Sequence, residues 1–196
     1  MFGLKRKQTT LTDEELILLM AEGDATAFNQ LYKRYNERLF YYFFRMLGNS
    51  TEKAEDFLQD IFVKVIDKAN TFDCSRKFST WIFSIAHNMC KNEYRRMDVR
   101  KDSDIESYTE SIAETEIPDF ELVQVDVNKF NSDLFAELEL LDDMHKSVFL
   151  LHYREDFSLK DIALMLNISE GTVKSRLFYA RKRLAEKLVK YKTLSI

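Results

Sequence analysis

The chain has 196 residues, enough for one large domain or two small ones, and a hydrophobic content of 45% supplies core material that excludes global disorder. With 4 glycines and 1 proline it lacks the turn-formers of a sandwich or barrel, and its 2 cysteines exclude a disulfide framework, so an all-α fold is expected. The net charge of −4 hides an uneven distribution: residues 1–97 sum to +2, residues 98–143 to −12 and residues 160–192 to +6.

The chain opens on MFGLKRKQTTLTDEELILLM, which has no apolar run ahead of its acidic residues and so does not read as a signal peptide. A short helix is predicted over Asp13–Glu22, and Gly23 closes it. Asp24 then caps a long helix to about Leu47, with Phe28, Leu31, Tyr35, Leu39, Tyr42 and Met46 at three- and four-residue spacing. A third helix, about Thr51–Lys68, carries Ala54, Phe57, Leu58, Ile61, Phe62 and Val65 on one face. Its polar side gathers Asp56, Gln59 and Asp60, an acidic-amide patch suited to docking on cationic helices.

After a loop over Asn70–Lys77, a fourth helix is predicted from about Ser79 to Arg96, with Ile82, Ile85, Ala86 and Met89 as its core stripe. Ser84, His87, Asn88, Lys91 and Arg95 fall on the opposite face, which is rich in donors for phosphates and base edges. Around the preceding loop, Phe72, Phe78 and Trp81 interleave with Arg76 and Lys77. Aromatics among cations can hold unstacked bases.

From Asp98 to about Lys129 helical periodicity fades, acidic residues dominate and Pro118 interrupts, as in a linker. Helical signal returns over Ser132–Leu141, Asp142–Tyr153, Ser158–Leu166 and Ser169–Val189. The organisation expected is two small helical domains, 12–97 and 131–192, joined by an acidic linker over 98–130.

The sharpest motif is FSLKDIALMLNISEGTVKSRLFYARKRL, Phe157 to Leu184. Ser158 and Asp161 open one helix, Asn167-Ile168-Ser169 forms a turn, and Val173, Leu177, Ala180, Leu184 and Leu188 make the buried stripe of the next helix. Ser175, Phe178, Tyr179 and Lys182 point away from that stripe, with Lys174, Arg176, Arg181 and Arg183 on its flanks. Such a face suits a major groove, where apolar groups meet thymine methyls and cations meet guanine or phosphate.

AEDFLQDIFVKV, then TFDCSRKFSTWIFSIAHN, then DIALMLNISEGTVKSRLFYARKRL is an order of motifs that resembles sigma factors of the extracytoplasmic-function group. The resemblance spans residues 12–190 outside the linker. It implies a factor that binds core RNA polymerase and directs it to promoters by −35 and −10 recognition and −10 strand opening. Asp56, Gln59 and Asp60 would meet the β′ clamp helices, and the carboxy-terminal domain would meet the β flap. The Thr71–Phe78 loop would hold a flipped base, with His87, Asn88 and Lys91 near the −10 element. Lys174, Ser175, Phe178 and Tyr179 would face the −35 element, although the position of Tyr179 is often basic in the family. An anti-sigma partner is implied as well.

A promoter also matches the spacing. Its two elements lie about two helical turns of about 34 Å apart, within the roughly 100 Å that the linker spans at about 3.3 Å per residue. The rival reading is a ligand-sensing one-component helix-turn-helix repressor, which needs neither the acidic patch nor the FSTW segment. Catalysis, cofactor and metal are not expected: Cys74, His87 and Cys90 lack a fourth zinc ligand, and there is no Gly-rich phosphate loop. The location expected is the cytoplasm, without membrane insertion.

Overall fold

The computed structural model describes residues 11–100 and 127–191, and these are helical. Helix α1 (Asp13–Ala21) starts at a complete capping box: the Thr12 hydroxyl accepts from the Glu15 amide, and the Glu15 carboxylate accepts from the Thr12 amide at 2.7 Å. Gly23, at φ 96°, takes the left-handed turn that lets α2 (Ala25–Met46) fold back along α1. Asp24 caps α2 by accepting from the amides of Thr26 and Ala27. Ser50 caps α3 (Thr51–Lys68) in the same way.

The first sub-bundle closes with α4 (Phe78–Arg100), whose first amide donates to the Glu14 carboxylate at 2.8 Å. Tyr35, buried in the centre of α2, donates a hydrogen bond from its hydroxyl to the Asp13 carboxylate, which also pairs with Arg34 at 2.5 Å. The Tyr94 hydroxyl donates to the carbonyl of Met46, pinning α4 across the end of α2.

The second sub-bundle comprises α5 (Val127–Glu139), α6 (Asp143–Phe149), α7 (Leu159–Leu166) and α8 (Glu170–Lys187). Helix α5 begins five residues before the predicted start, because an anchor distant in sequence holds its first turns. Phe130 packs edge-on against Tyr191 at 5.1 Å, and Asp133 pairs with Lys190 at 2.6 Å. Helix α6 runs straight into a wider π turn, Leu150–Arg154, matching the extent predicted for one helix over Asp142–Tyr153.

Two sub-bundles were expected; that they pack against each other was not legible from local patterns. One apolar core runs from Leu16, Tyr42, Phe43, Phe83 and Cys90 in the first to Val148, Leu151, Phe157, Ile162 and Val173 in the second. A smaller cluster, Leu138, Leu141, Ala180, Leu184 and Leu188, joins α5 to the carboxy-terminal half of α8. The seam is formed chiefly by α4 against α7, with α2 against α6.

Polar contacts cross that seam. Arg38 on α2 pairs with the buried Glu155 at 2.7 Å, and its guanidinium lies over the rings of Tyr35, Phe83 and Phe157 at 5.3–5.8 Å. Burial raises the Glu155 carboxyl above its ordinary value, against the pull of the adjacent arginine. The Tyr42 hydroxyl meets Ser147 Oγ at 2.9 Å, and Nδ1 of His87 meets the same oxygen at 3.1 Å. Further along, Arg45 lies 3.8 Å over the Phe135 ring and Arg154 4.6 Å over that of Tyr41. Among the described residues, no helix is long and apolar enough to cross a membrane.

Candidate nucleic-acid interface

The helix-turn-helix forms as its sequence dictates. Ser158 Oγ accepts from the Asp161 amide at 3.1 Å to cap α7, while its own proton goes to the Asp161 carboxylate. Asn167 ends the helix in the left-handed conformation, φ 53° and ψ 50°, which a short side-chain amide tolerates. Ser169 then caps α8 through the Thr172 amide. Val173, Leu177, Ala180, Leu184 and Leu188 are buried, as their spacing required.

The outward face of α8 holds Ser175, Arg176, Phe178 and Tyr179 partly exposed, with Lys174, Arg181 and Lys182 exposed. Phe178 and Tyr179 sit edge-on at 5.6 Å, so the two rings form one apolar step among cations. Asp142 and His145, paired at 2.5 Å at the start of α6, border this face, and the His145 ring stands edge-on to Tyr179 at 6.1 Å. Sequence periodicity could not find that pair, because helices distant along the chain bring it beside the recognition helix.

On the first sub-bundle the aromatic cluster requires a correction. Phe78 is 0% exposed and Phe72 only 8%, so neither ring can stack on a base here. They pack on each other at 6.0 Å, and Phe78 lies against Tyr35 at 5.1 Å, because α1 and α2 close over the start of α4. Trp81 is half-exposed, and Phe72 supports it from behind at 5.2 Å. The available surface therefore consists of Trp81 with exposed Arg76 and Lys77, beside Asn88, Lys91 and Arg95, which are also exposed. Arg76, Lys77, Trp81 and Ser84 line a cavity of about 400 Å³.

His87 is the second correction. Its ring is turned to Ser147 and Tyr42 rather than left open for DNA, and burial, with Lys91 and Arg176 nearby, holds its pKa down to about 4. It is therefore neutral at physiological pH. The stripe predicted for α4 also omitted Phe83 and Cys90, both fully buried, because it assumed one covered face where the second sub-bundle covers another.

On the outer side of α3, Asp56, Gln59 and Asp60 are all exposed and unpaired among the described residues. Val63, 56% exposed, lies between them and Ile66, 50% exposed, at helical spacing. Val63 and Ile66 thus add an exposed apolar edge to this patch, outside the residues singled out from the sequence.

Two family models match the chain: sigma-70 region 2 over residues 31–100 and sigma-70 region 4 over residues 136–184. The chain is 30% identical to the ECF RNA polymerase sigma factor SigW of Bacillus subtilis over 175 residues, 85% of this chain and 91% of that one. It is 27% identical over 184 residues to the ECF RNA polymerase sigma-E factor of Escherichia coli, covering 91% and 95% of the two chains. Among solved structures, RpoE of Bartonella quintana in complex with the anti-sigma factor NepR matches with a TM-score of 0.63 at 27% identity, over 82% of this chain and 96% of that one. CnrH in complex with the cytosolic domain of CnrY shares the fold, with a TM-score of 0.67 at 24% identity over 91% and 97% of the chains.

Proposed function

Since the chain belongs to the extracytoplasmic-function group of the sigma-70 family, a group of RNA polymerase subunits without catalytic chemistry of their own, we propose how its three surfaces divide the work of promoter recognition. The α8 face reads the −35 element through Lys174, Ser175, Arg176, Phe178, Tyr179, Arg181 and Lys182. The Phe178–Tyr179 step favours thymine methyls where a basic residue would favour guanine. Trp81, Arg76 and Lys77 capture a base of the −10 strand, with Asn88, Lys91 and Arg95 on its backbone. Asp56, Gln59, Asp60 and Val63 dock on the β′ clamp helices, and the second sub-bundle docks on the β flap. An anti-sigma protein is the regulatory partner, as in the Bartonella complex named above.

The observation that carries this reading is the half-exposed Trp81 ring beside two exposed cations, on a different sub-bundle from a formed helix-turn-helix. Base flipping costs a few kcal/mol, and one stacking contact returns about 1–3 kcal/mol. Opening therefore depends on the captured base. Trp81→Ala is expected to lower strand opening by about ten- to a hundredfold, with closed-complex binding changed far less and Trp81→Phe retaining most activity. Permanganate footprinting on a promoter reads this out directly, and undiminished reactivity with Trp81→Ala would remove Trp81 from the role.

A further inference from the structure

Two residues of the recognition helix are braced from outside it, by the first turn of α6. One oxygen of the Asp142 carboxylate accepts from the amides of Met144 and His145 at 3.1 Å, and the other accepts from Nδ1 of His145 at 2.5 Å. These bonds, that of the His145 ring foremost, hold the Asp142 carboxyl down to about 2, so at neutral pH it is ionised and only accepts. Nδ1 must then carry a proton, and the imidazole cannot turn over without losing its partner. The ring so fixed stands edge-on to Tyr179 at 6.1 Å and 85°, while Phe178 meets the same tyrosine at 5.6 Å and 79°. Tyr179 remains partly exposed, and its hydroxyl has no hydrogen-bond partner among the described residues. Beside it a cavity of about 780 Å³ opens between α6 and α8, lined in part by Met144, His145, Arg176, Tyr179 and Lys182. The Arg176 guanidinium donates to the Met144 sulfur at 3.2 Å, so the same turn also holds a cation of the reading face.

We propose that Asp142 and His145 are positioning residues for −35 specificity: they fix the orientation in which Tyr179 presents its ring and hydroxyl to one base pair, and so set how sharply that pair is read. The proposal rests on the −35 reading of Tyr179 given above, and it gives a role to two residues outside the recognition helix. Neither needs to touch DNA. A tyrosine on an open helix surface samples several rotamers, and a base contact would have to freeze one of them. A side chain already locked by packing and by a supporting hydrogen bond loses less on binding and discriminates more sharply. Helix capping alone accounts for the bonds to the two amides. It does not account for the second carboxylate oxygen, which holds the ring.

The test uses the full chain with core polymerase, on a chain-dependent promoter whose −35 element is randomised. Barcoded run-off transcripts give the base preference at each position, and Tyr179→Ala identifies the position that Tyr179 reads. At that position His145→Ala should lower the preference about three- to tenfold, the range expected when one held side chain is freed, with other positions unchanged. Asp142→Ser keeps an oxygen to cap α6 but cannot reach the ring, and should give the same loss. Asp142→Asn keeps both the cap and a partner for Nδ1, through the opposite imidazole tautomer, and should restore the preference. Removing the Asp142 charge strengthens phosphate contacts for every sequence alike, so it does not imitate a loss at one position. In a Tyr179→Ala background neither His145→Ala nor Asp142→Ser should alter the preference further, because residues that act through one another are not additive. Circular dichroism checks folding, and the two Asp142 variants decide alone if His145→Ala is unstable. Unchanged preference with His145→Ala and Asp142→Ser, or a loss spread over all positions whether or not Tyr179 is present, overturns the proposal and leaves the −35 reading standing. If Tyr179→Ala itself alters no position, the −35 reading of Tyr179 has failed.

Discussion

Asp56→Lys combined with Asp60→Lys is expected to reduce transcription by the reconstituted holoenzyme by about two orders of magnitude, while leaving the fold intact. Both carboxylates are exposed and neither supports a contact within the described residues, so their reversal removes no packing. Against a cationic partner helix, however, each lysine replaces attraction by repulsion. Juxtaposed like charges at an interface cost several kcal/mol, and about 2.7 kcal/mol is already a hundredfold in affinity. Val63 adds a second, separable contribution, since its exposed side chain beside the patch offers apolar area that docking would bury. Val63→Ser, which removes apolar area without changing the charge, should therefore weaken binding on its own, though less than the double lysine variant. Co-purification with core polymerase and run-off yield report both changes. Unchanged binding by the double lysine variant would move the polymerase contact elsewhere.

Phe83→Ala is expected to cost about 3–5 kcal/mol, the range for emptying an aromatic site in a core, and the loss should be shared by both sub-bundles. Phe83 is fully buried, lies edge-on to Tyr42 at 5.7 Å and to Phe157 at 5.1 Å, and forms part of the platform under the Arg38 guanidinium. Its removal leaves a void where the two sub-bundles meet. Thermal unfolding should remain a single transition and fall by roughly 10 °C, since each kcal/mol shifts a domain of this size by about 2–4 °C. If calorimetry shows two transitions with only one displaced, the sub-bundles fold independently and the shared core contributes little.

The helices were legible because each obeys a local rule. The stripe of α8, the left-handed Asn167 and the caps at Asp24 and Ser169 follow from spacing and from side chains that bond their own backbone. The acidic patch on α3 was legible for the same reason, since one helix alone sets its geometry. What escaped was whatever depends on a second surface arriving from far along the chain. Phe78 and Trp81 look alike in the sequence, yet α1 and α2 cover one and leave the other half open. His87 sits on the polar side of α4 and becomes a seam residue only because Ser147, sixty positions later, lies against it. Glu155 reads as one more surface acid, and its burial against Arg38 is a fact of tertiary packing. The linker expected over 98–130 lies mostly outside the described residues.

Run-off transcription from a genomic fragment library, with core polymerase and with or without this chain, bears most directly on the claim that two surfaces of one protein select one duplex. The outcome expected is a set of chain-dependent start sites sharing two upstream sequence elements about two helical turns apart, with the downstream one opened. Start sites that do not depend on the chain, or that share only a single element, would contradict it.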